Sequence, residues 1–230
     1  MKLATRRRRI QIPDSGAVSA VIALPSGFRR GGKTPAVLLA HGAGADMRSA
    51  FVSTVHSGLA REGYVSLKFN FPYTEARRRR PDPRPVLERC WRSVVDAALR
   101  DRALAPPWIA IGGKSMGGRM ASYVAAAGAP ARALVFLGYP LHPAGKPDEM
   151  RADHLSAIQA PMLFVQGTRD ALCDLDRLRG VLASLPRATL HTIEGGDHSF
   201  RLPRRNGKSD AEVWDEIVTV VARWLRTVAG

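Results

Sequence analysis

Trp108-Ile109-Ala110-Ile111-Gly112-Gly113-Lys114-Ser115-Met116-Gly117-Gly118-Arg119, followed by Met120 to Ala127, is the stretch that decides how this chain reads. The first four residues form an apolar run suited to a buried strand, and Met120 to Ala127 suits a helix. Between them Gly113 to Gly117 spell G-x-S-x-G. In a strand–turn–helix setting that pattern describes a nucleophile elbow, in which the chain reverses at Ser115 and holds its hydroxyl above the sheet. Such a turn strains its central residue, and side chains two positions to either side would collide, which accounts for Gly113 and Gly117. The helix N-terminus beside Ser115 favours developing negative charge. Alone, the same letters also suit an ordinary Gly-rich turn, so the rest of the chain has to decide.

Outward from the elbow, short strands alternate with helices. Arg6 to Ile12 and Ala17 to Leu24 flank Pro13-Asp14-Ser15-Gly16 and read as an antiparallel hairpin. Ala36 to Leu39, Val65 to Phe69, Ala133 to Leu137, Pro161 to Gln166 and Thr189 to Ile193 read as strands. Helices are expected over Arg48 to Glu62, Val86 to Leu104, Leu175 to Leu185 and Glu212 to Thr227, the last with Val213, Ile217, Val220, Val221 and Trp224 facing in. Asn70 to Tyr73 reads as a loop. A hairpin followed by six strands in regular β-α alternation predicts a mostly parallel sheet with helices on both faces. The connection from Leu141 to Ala160 is too short for a cap domain, and no repeat or linker divides the chain, so a single α/β domain over 1–230 is expected.

In such sheets the working groups collect at the carboxyl ends of the strands. Three candidates fall there: Ser115, Asp170 in Gly167-Thr168-Arg169-Asp170, and His198 in Gly195-Gly196-Asp197-His198. A serine hydroxyl needs a base to take its proton, a neutral imidazole does that near pH 7, and a carboxylate fixes the imidazole's tautomer. Asp174 and Asp176 compete with Asp170 but fall where the next helix starts, so Asp174 reads as an N-cap or first-turn acid. An oxyanion hole is expected from the N–H of Met116 and, in the turn His41-Gly42-Ala43-Gly44, that of Ala43. His41 itself reads as a structural hydrogen-bonder. Gly42, Gly44, Tyr73, Lys114 and His142 are assigned to substrate contact by position, and Asp153 and His154 fall in the same short connection.

Composition narrows the class further. The 230 residues are 45% hydrophobic, with no apolar run long enough for a membrane span and no apolar segment after the basic start, so no signal peptide is expected. Two cysteines, Cys90 and Cys173, give neither a disulfide framework nor a metal spacing, which fits a cytoplasmic protein without metal or cofactor. The net charge is +15, and Arg supplies 29 of the 35 cations. Arginine-rich codon usage is one reading of that excess; attraction of an anionic small-molecule substrate to a basic rim (Arg77 to Arg80, Lys114, Arg169, Arg201) is the other. Nucleic acid is not expected, because no recognition motif or interleaved aromatics accompany Arg6–Arg9 or Arg77–Arg80.

The stretches His41 to Gly44, Asn70 to Tyr73, Gly112 to Arg119, Gly138 to His142, Phe164 to Asp170 and Asp197 to Phe200 together resemble a compact α/β-hydrolase, and more narrowly the hydrolase-like domains typified by testis-expressed protein 30 and NSL complex subunit 3. Dienelactone-hydrolase-like proteins are more distant. The resemblance implies the α/β-hydrolase fold, with an eight-stranded sheet behind a leading hairpin, and Ser115, His198 and Asp170 as its triad in the chain order of that fold. It implies no substrate. Dienelactone hydrolases proper use a cysteine nucleophile where this chain has Ser115, so their activity does not carry over. The function expected is that of a serine hydrolase, of carboxylesterase or thioesterase type, acting on a small acyl ester. The alternative is a hydrolase-like interaction or scaffold module without activity.

Overall fold

Strands that are apolar on every residue have to be covered on both faces, and that requirement arranges the molecule. The computed structural model describes residues 3–203 and 207–229. Its strands are β1 (Ala4–Ile12), β2 (Gly16–Leu24), β3 (Ala36–Ala40), β4 (Val65–Phe69), β5 (Ile109–Lys114), β6 (Ala133–Leu137), β7 (Met162–Gly167) and β8 (Ala188–Ile193). They form an eight-stranded sheet in the order β1-β2-β4-β3-β5-β6-β7-β8. β1 and β2 pair antiparallel, β2 joins β4 antiparallel, and the remaining pairs are parallel. This is the α/β-hydrolase arrangement, with its leading hairpin at one edge.

Adjacent strand residues face opposite layers. Val37 and Leu39 pack with α1 (Ala50–Arg61) and α6 (Asp210–Ala229), while Leu38 packs with α3 (Arg84–Arg100), α4 (Met116–Ala126) and α5 (Leu175–Ala183). Val213, Ile217 and Val221 of α6 are buried as their spacing predicts. Val220 and Trp224 are only partly buried, and Val218, Ala222 and Leu225 take the inner positions instead. Trp224 lies on the flank, where its indole N–H donates to Thr189 Oγ1 at 3.1 Å.

Helix ends depart from the sequence reading for identifiable reasons. α6 starts at Asp210 because Ser209 and Glu212 form a capping box: Glu212 Oε2 accepts the Ser209 N–H at 2.7 Å, and Ser209 Oγ accepts the Glu212 N–H at 3.3 Å. α3 takes Pro85 into its first turn and stops at Arg100, where the Asp101 carboxylate captures the N–H groups of Ala103 and Leu104. Part of the expected Asn70–Tyr73 loop is a helical turn, α2 (Pro72–Glu75). Its Glu75 gathers Arg9 at 2.7 Å, the Ser19 N–H at 3.1 Å and Asn70 Nδ2 at 2.8 Å, which ties the hairpin to the carboxyl end of β4. The four arginines of β1 stand on the exposed edge of the sheet, where charge discourages pairing with a second chain.

Candidate active site

Ser115 follows β5 directly and precedes α4, with φ 50° and ψ −118°, a conformation that is costly for any residue with a side chain. Close packing enforces it. Gly113 has φ +143°, and a Cβ there would run into the carbonyl of Ala40. A Cβ on Gly117 would lie 2.6 Å from the carbonyl oxygens of Ala40 and His41. The glycines are therefore small because the elbow presses on the exit of β3, not because they face each other. Trp91, fully buried on α3, donates its indole N–H to Gly117 O at 3.1 Å and braces the first turn of α4.

Two later strand exits bring their side chains to the same place. His198 Nε2 lies 2.8 Å from Ser115 Oγ, and His198 Nδ1 lies 2.7 Å from Asp170 Oδ2. The Asp170 side chain is fully buried. Its Oδ1 accepts the Leu172 N–H at 2.8 Å, and its Oδ2 also accepts Gln166 Nε2 at 2.6 Å. Gln166 in turn accepts the Tyr139 N–H at 2.9 Å. With the Leu172 N–H and Gln166 Nε2 both donating to it, the Asp170 carboxyl group is placed to accept from an Nδ1–H of His198, the tautomer whose Nε2 lone pair faces Ser115. Asp174 is the N-cap of α5, accepting the Arg177 N–H at 2.9 Å, and Asp176 pairs with Arg179 at 2.8 Å. Neither reaches His198. Sequence reasoning missed Gln166, although one amide in an otherwise apolar strand, Met162-Leu163-Phe164-Val165-Gln166, was a visible signal.

Ala43, Ser115 and Met116 line one cavity of about 320 Å³ together with Leu87, Arg119 and Leu172. As the first residue of α4, Met116 has an N–H that no carbonyl of its own helix can accept. The turn bearing Ala43 is set by His41, which is fully buried: its Nε2 accepts the Phe71 N–H at 3.2 Å, so Nδ1 donates to Gly42 O at 2.9 Å. Burial lowers its pKa and keeps it neutral, outweighing the Gly42 carbonyl and Asp46. Gly42 lies against the elbow, where an added Cβ would touch Ser115 Cβ at 3.4 Å. A larger depression of about 720 Å³ sits against the β1–β2 hairpin, away from Ser115.

Several expected substrate contacts lie elsewhere. Lys114 is absent from the Ser115 cavity lining; its Nζ is buried without a hydrogen-bond partner, 5.5 Å from the Phe200 ring centroid. Burial pushes its pKa down to about 8, against the pull of Asp170 and Asp197. His142 is buried with both ring nitrogens engaged by backbone, Nε2 by the Asp174 N–H at 2.9 Å and Nδ1 by Pro143 O at 2.8 Å, so it offers a substrate no free polar atom. Gly44 and Tyr73 border a neighbouring depression with Arg77, Arg78 and Arg79, and the Tyr73 hydroxyl is buried. Arg78 is held by Asp82 at 2.6 Å and Arg201 faces Asp210 at 3.6 Å. None of the residues of the expected basic rim, Arg77 to Arg80, Lys114, Arg169 and Arg201, lines the Ser115 cavity itself. His154 is a packing residue, stacked on Tyr123 at 3.8 Å and bonded to Ser122 Oγ at 2.7 Å. Among the described residues no cluster of His, Cys, Asp or Glu could hold a metal ion.

The sheet order and the elbow define an α/β-hydrolase. The family model described as "Alpha/beta hydrolase domain" matches residues 33–226, and the chain belongs to that family. Solved structures share the fold end to end. A dienelactone hydrolase from Anabaena variabilis is 19% identical, with a TM-score of 0.75 and 99% of each chain covered. A serine hydrolase without a lid from Xanthomonas campestris is 21% identical, with a TM-score of 0.73 over 97% of this chain and 96% of that one. Est1E from Butyrivibrio proteoclasticus is 17% identical, with a TM-score of 0.76 over 97% and 99%.

Proposed function

We propose that this α/β-hydrolase is a serine carboxylesterase or thioesterase that cleaves small acyl esters through Ser115, His198 and Asp170. The observation carrying this reading is the unbroken hydrogen-bond line from Asp170 Oδ2 through both imidazole nitrogens to Ser115 Oγ, at 2.7 and 2.8 Å, on a strained serine that opens onto a cavity. His198 Nε2 takes the hydroxyl proton as Oγ attacks the acyl carbon. The oxyanion that forms is met by the N–H groups of Met116 and Ala43 at the positive end of α4. Collapse expels the alcohol or thiol with the proton from His198, and leaves Ser115 acylated. Water, activated by the same imidazole, then releases the acid. A cavity of this size takes a short acyl group. The narrower grouping with the testis-expressed-protein-30 and NSL-complex-subunit-3 domains rests on the sequence motifs alone.

A fluorophosphonate probe tests the reading before any substrate is known. Ser115 is expected to take the label, and Ser115→Ala to lose it while remaining folded. His198→Ala is expected to cost on the order of 10⁶ in turnover, as the serine loss does, without the two effects adding. Labelling that persists in Ser115→Ala moves the nucleophile elsewhere, and a folded wild type that resists the probe favours the scaffold alternative.

A further inference from the structure

Three arginines, Arg84, Arg119 and Arg151, reach the Ser115 cavity from separate parts of the chain, and one carboxylate, Asp82, shares it. Asp82 pairs through Oδ1 with Arg78 at 2.6 Å and keeps a buried Oδ2 without a hydrogen-bond partner, so three guanidinium groups share the cavity with one carboxylate that already serves Arg78. Arg119 lies in the first turn of α4, its N–H bonded to Ser115 O at 3.0 Å, and both residues line the cavity. Its Nε is buried without a hydrogen-bond partner. Among the described residues neither Arg119 nor Arg151 forms an ion pair. Arg151 is fixed at its base, because its N–H donates to Leu141 O at 2.8 Å and its carbonyl accepts the Tyr139 hydroxyl at 2.8 Å. Arg84 lies over the Tyr123 ring at 4.5 Å and meets Glu88 at 2.9 Å.

Arg84 is exposed and paired, but Arg119 keeps a buried, unpartnered Nε and Arg151 beside it has no ion pair, and a partly buried cation without a counter-charge is unfavourable. Burial, then the charges of Arg151 and Arg84, work against the Arg119 cation. The arrangement becomes favourable once an anion enters, because a planar guanidinium matches a carboxylate in two parallel hydrogen bonds. We propose that the Ser115 cavity selects esters whose acyl portion ends in a carboxylate, as in the half-ester of a short dicarboxylic acid, with Arg119 and Arg151 binding that group and Arg84 adding to the field. The proposal rests on the esterase reading and deepens it. It also relocates the role of the positive charge: the specificity residues are single arginines distributed along the chain, whereas the runs at Arg6–Arg9 and Arg77–Arg80 lie outside this cavity.

The test compares monoethyl glutarate with its terminal amide, ethyl glutaramate, which has the same shape without the charge. In the intact wild-type protein at low salt, kcat/KM for the acid is expected to exceed that for the amide by at least tenfold. In Arg119→Gln/Arg151→Gln the ratio is expected to fall to near one, through a higher KM for the acid, and Arg119→Lys should restore part of it. Equal values in the wild type, or an undiminished ratio in the double variant, overturn the proposal. Glutarate, glutaramide and inorganic phosphate are then compared as protectors of Ser115 against the fluorophosphonate probe, a readout that needs no turnover. Glutarate is expected to protect best; phosphate protecting better overturns the carboxylate assignment. If Ser115 takes no label, the esterase reading has failed, and calorimetric titration with glutarate decides the binding site alone: a Kd weakened at least tenfold by Arg119→Gln sustains it, and an absent or unchanged binding signal overturns it.

Discussion

Gln166 shows how a single side chain can matter without touching substrate. It stands on β7, fully buried, and holds two groups at once: the carboxylate of Asp170 at 2.6 Å and the Tyr139 N–H at 2.9 Å. Replacing it with leucine keeps much of its volume but strips both bonds. Hydrogen bonds to a charged group are typically worth about 1.5–3 kcal/mol, and an orphaned buried N–H costs a similar amount. Gln166→Leu is therefore expected to lower urea stability by about 2–4 kcal/mol. Because it acts through Asp170, it should also lower kcat by roughly tenfold, about 1.4 kcal/mol, while KM stays put. Steady-state kinetics beside a urea titration check both; an unaltered kcat limits Gln166 to packing.

At the scale of elements, α3 is the brace for α4. Trp91 ends in an indole N–H that satisfies Gly117 O at 3.1 Å, in the turn that carries Ser115. Trp91→Phe keeps an aromatic body but abandons that carbonyl, and should cost about 1–3 kcal/mol in equilibrium unfolding. A loss well under that range would mean the carbonyl finds another donor. Most elements were legible because their pattern is local: apolar runs for β3, β5, β6 and β7, alternation of Val65, Leu67 and Phe69 with Ser66 and Lys68 for β4, spacing of three and four for α1 and α3, and strand–Gly-x-Ser-x-Gly–helix for the elbow. What escaped depended on contacts that sequence does not display. The capping box at Ser209 moved the start of α6, and Glu75 turned an expected loop into α2 by gathering partners from both hairpin strands. The side chains of Ser115, His198 and Asp170 lie within hydrogen-bond reach, as their strand-end positions suggested. Lys114 adjoins Ser115 in sequence, yet successive residues at a strand exit point opposite ways, and its amine is buried beside Phe200.

The whole molecule carries buried bases that make its stability depend on pH in one direction. His56 of α1 faces β4 with its Nδ1 on Ser66 Oγ at 2.9 Å, and burial, then the charge of Lys68, push its pKa down to about 3. The unfolded chain takes up that proton near pH 6.5 and the folded one does not, so stability is full above 6.5 and drains away as pH falls toward 3. Lys114, lowered to about 8, repeats the pattern higher up: its burial penalty applies below pH 8 and fades between 8 and about 10.5, the ordinary lysine value. Urea midpoints should therefore climb with pH over both ranges. Lys114→Met should flatten the alkaline rise, and His56→Asn the acid fall; parallel curves for variant and wild type would exonerate the residue concerned. The strand order bears on something else, the chain as the ribosome makes it. β3 is synthesised before β4 but lies between β4 and β5, and β5 comes only after α3. Until residues 109–114 emerge, one full side of Ala36-Val37-Leu38-Leu39-Ala40 has no neighbour to pair with. A wholly apolar strand thus spends part of its synthesis as an open edge, when a nascent chain is most exposed to mispairing with its neighbours.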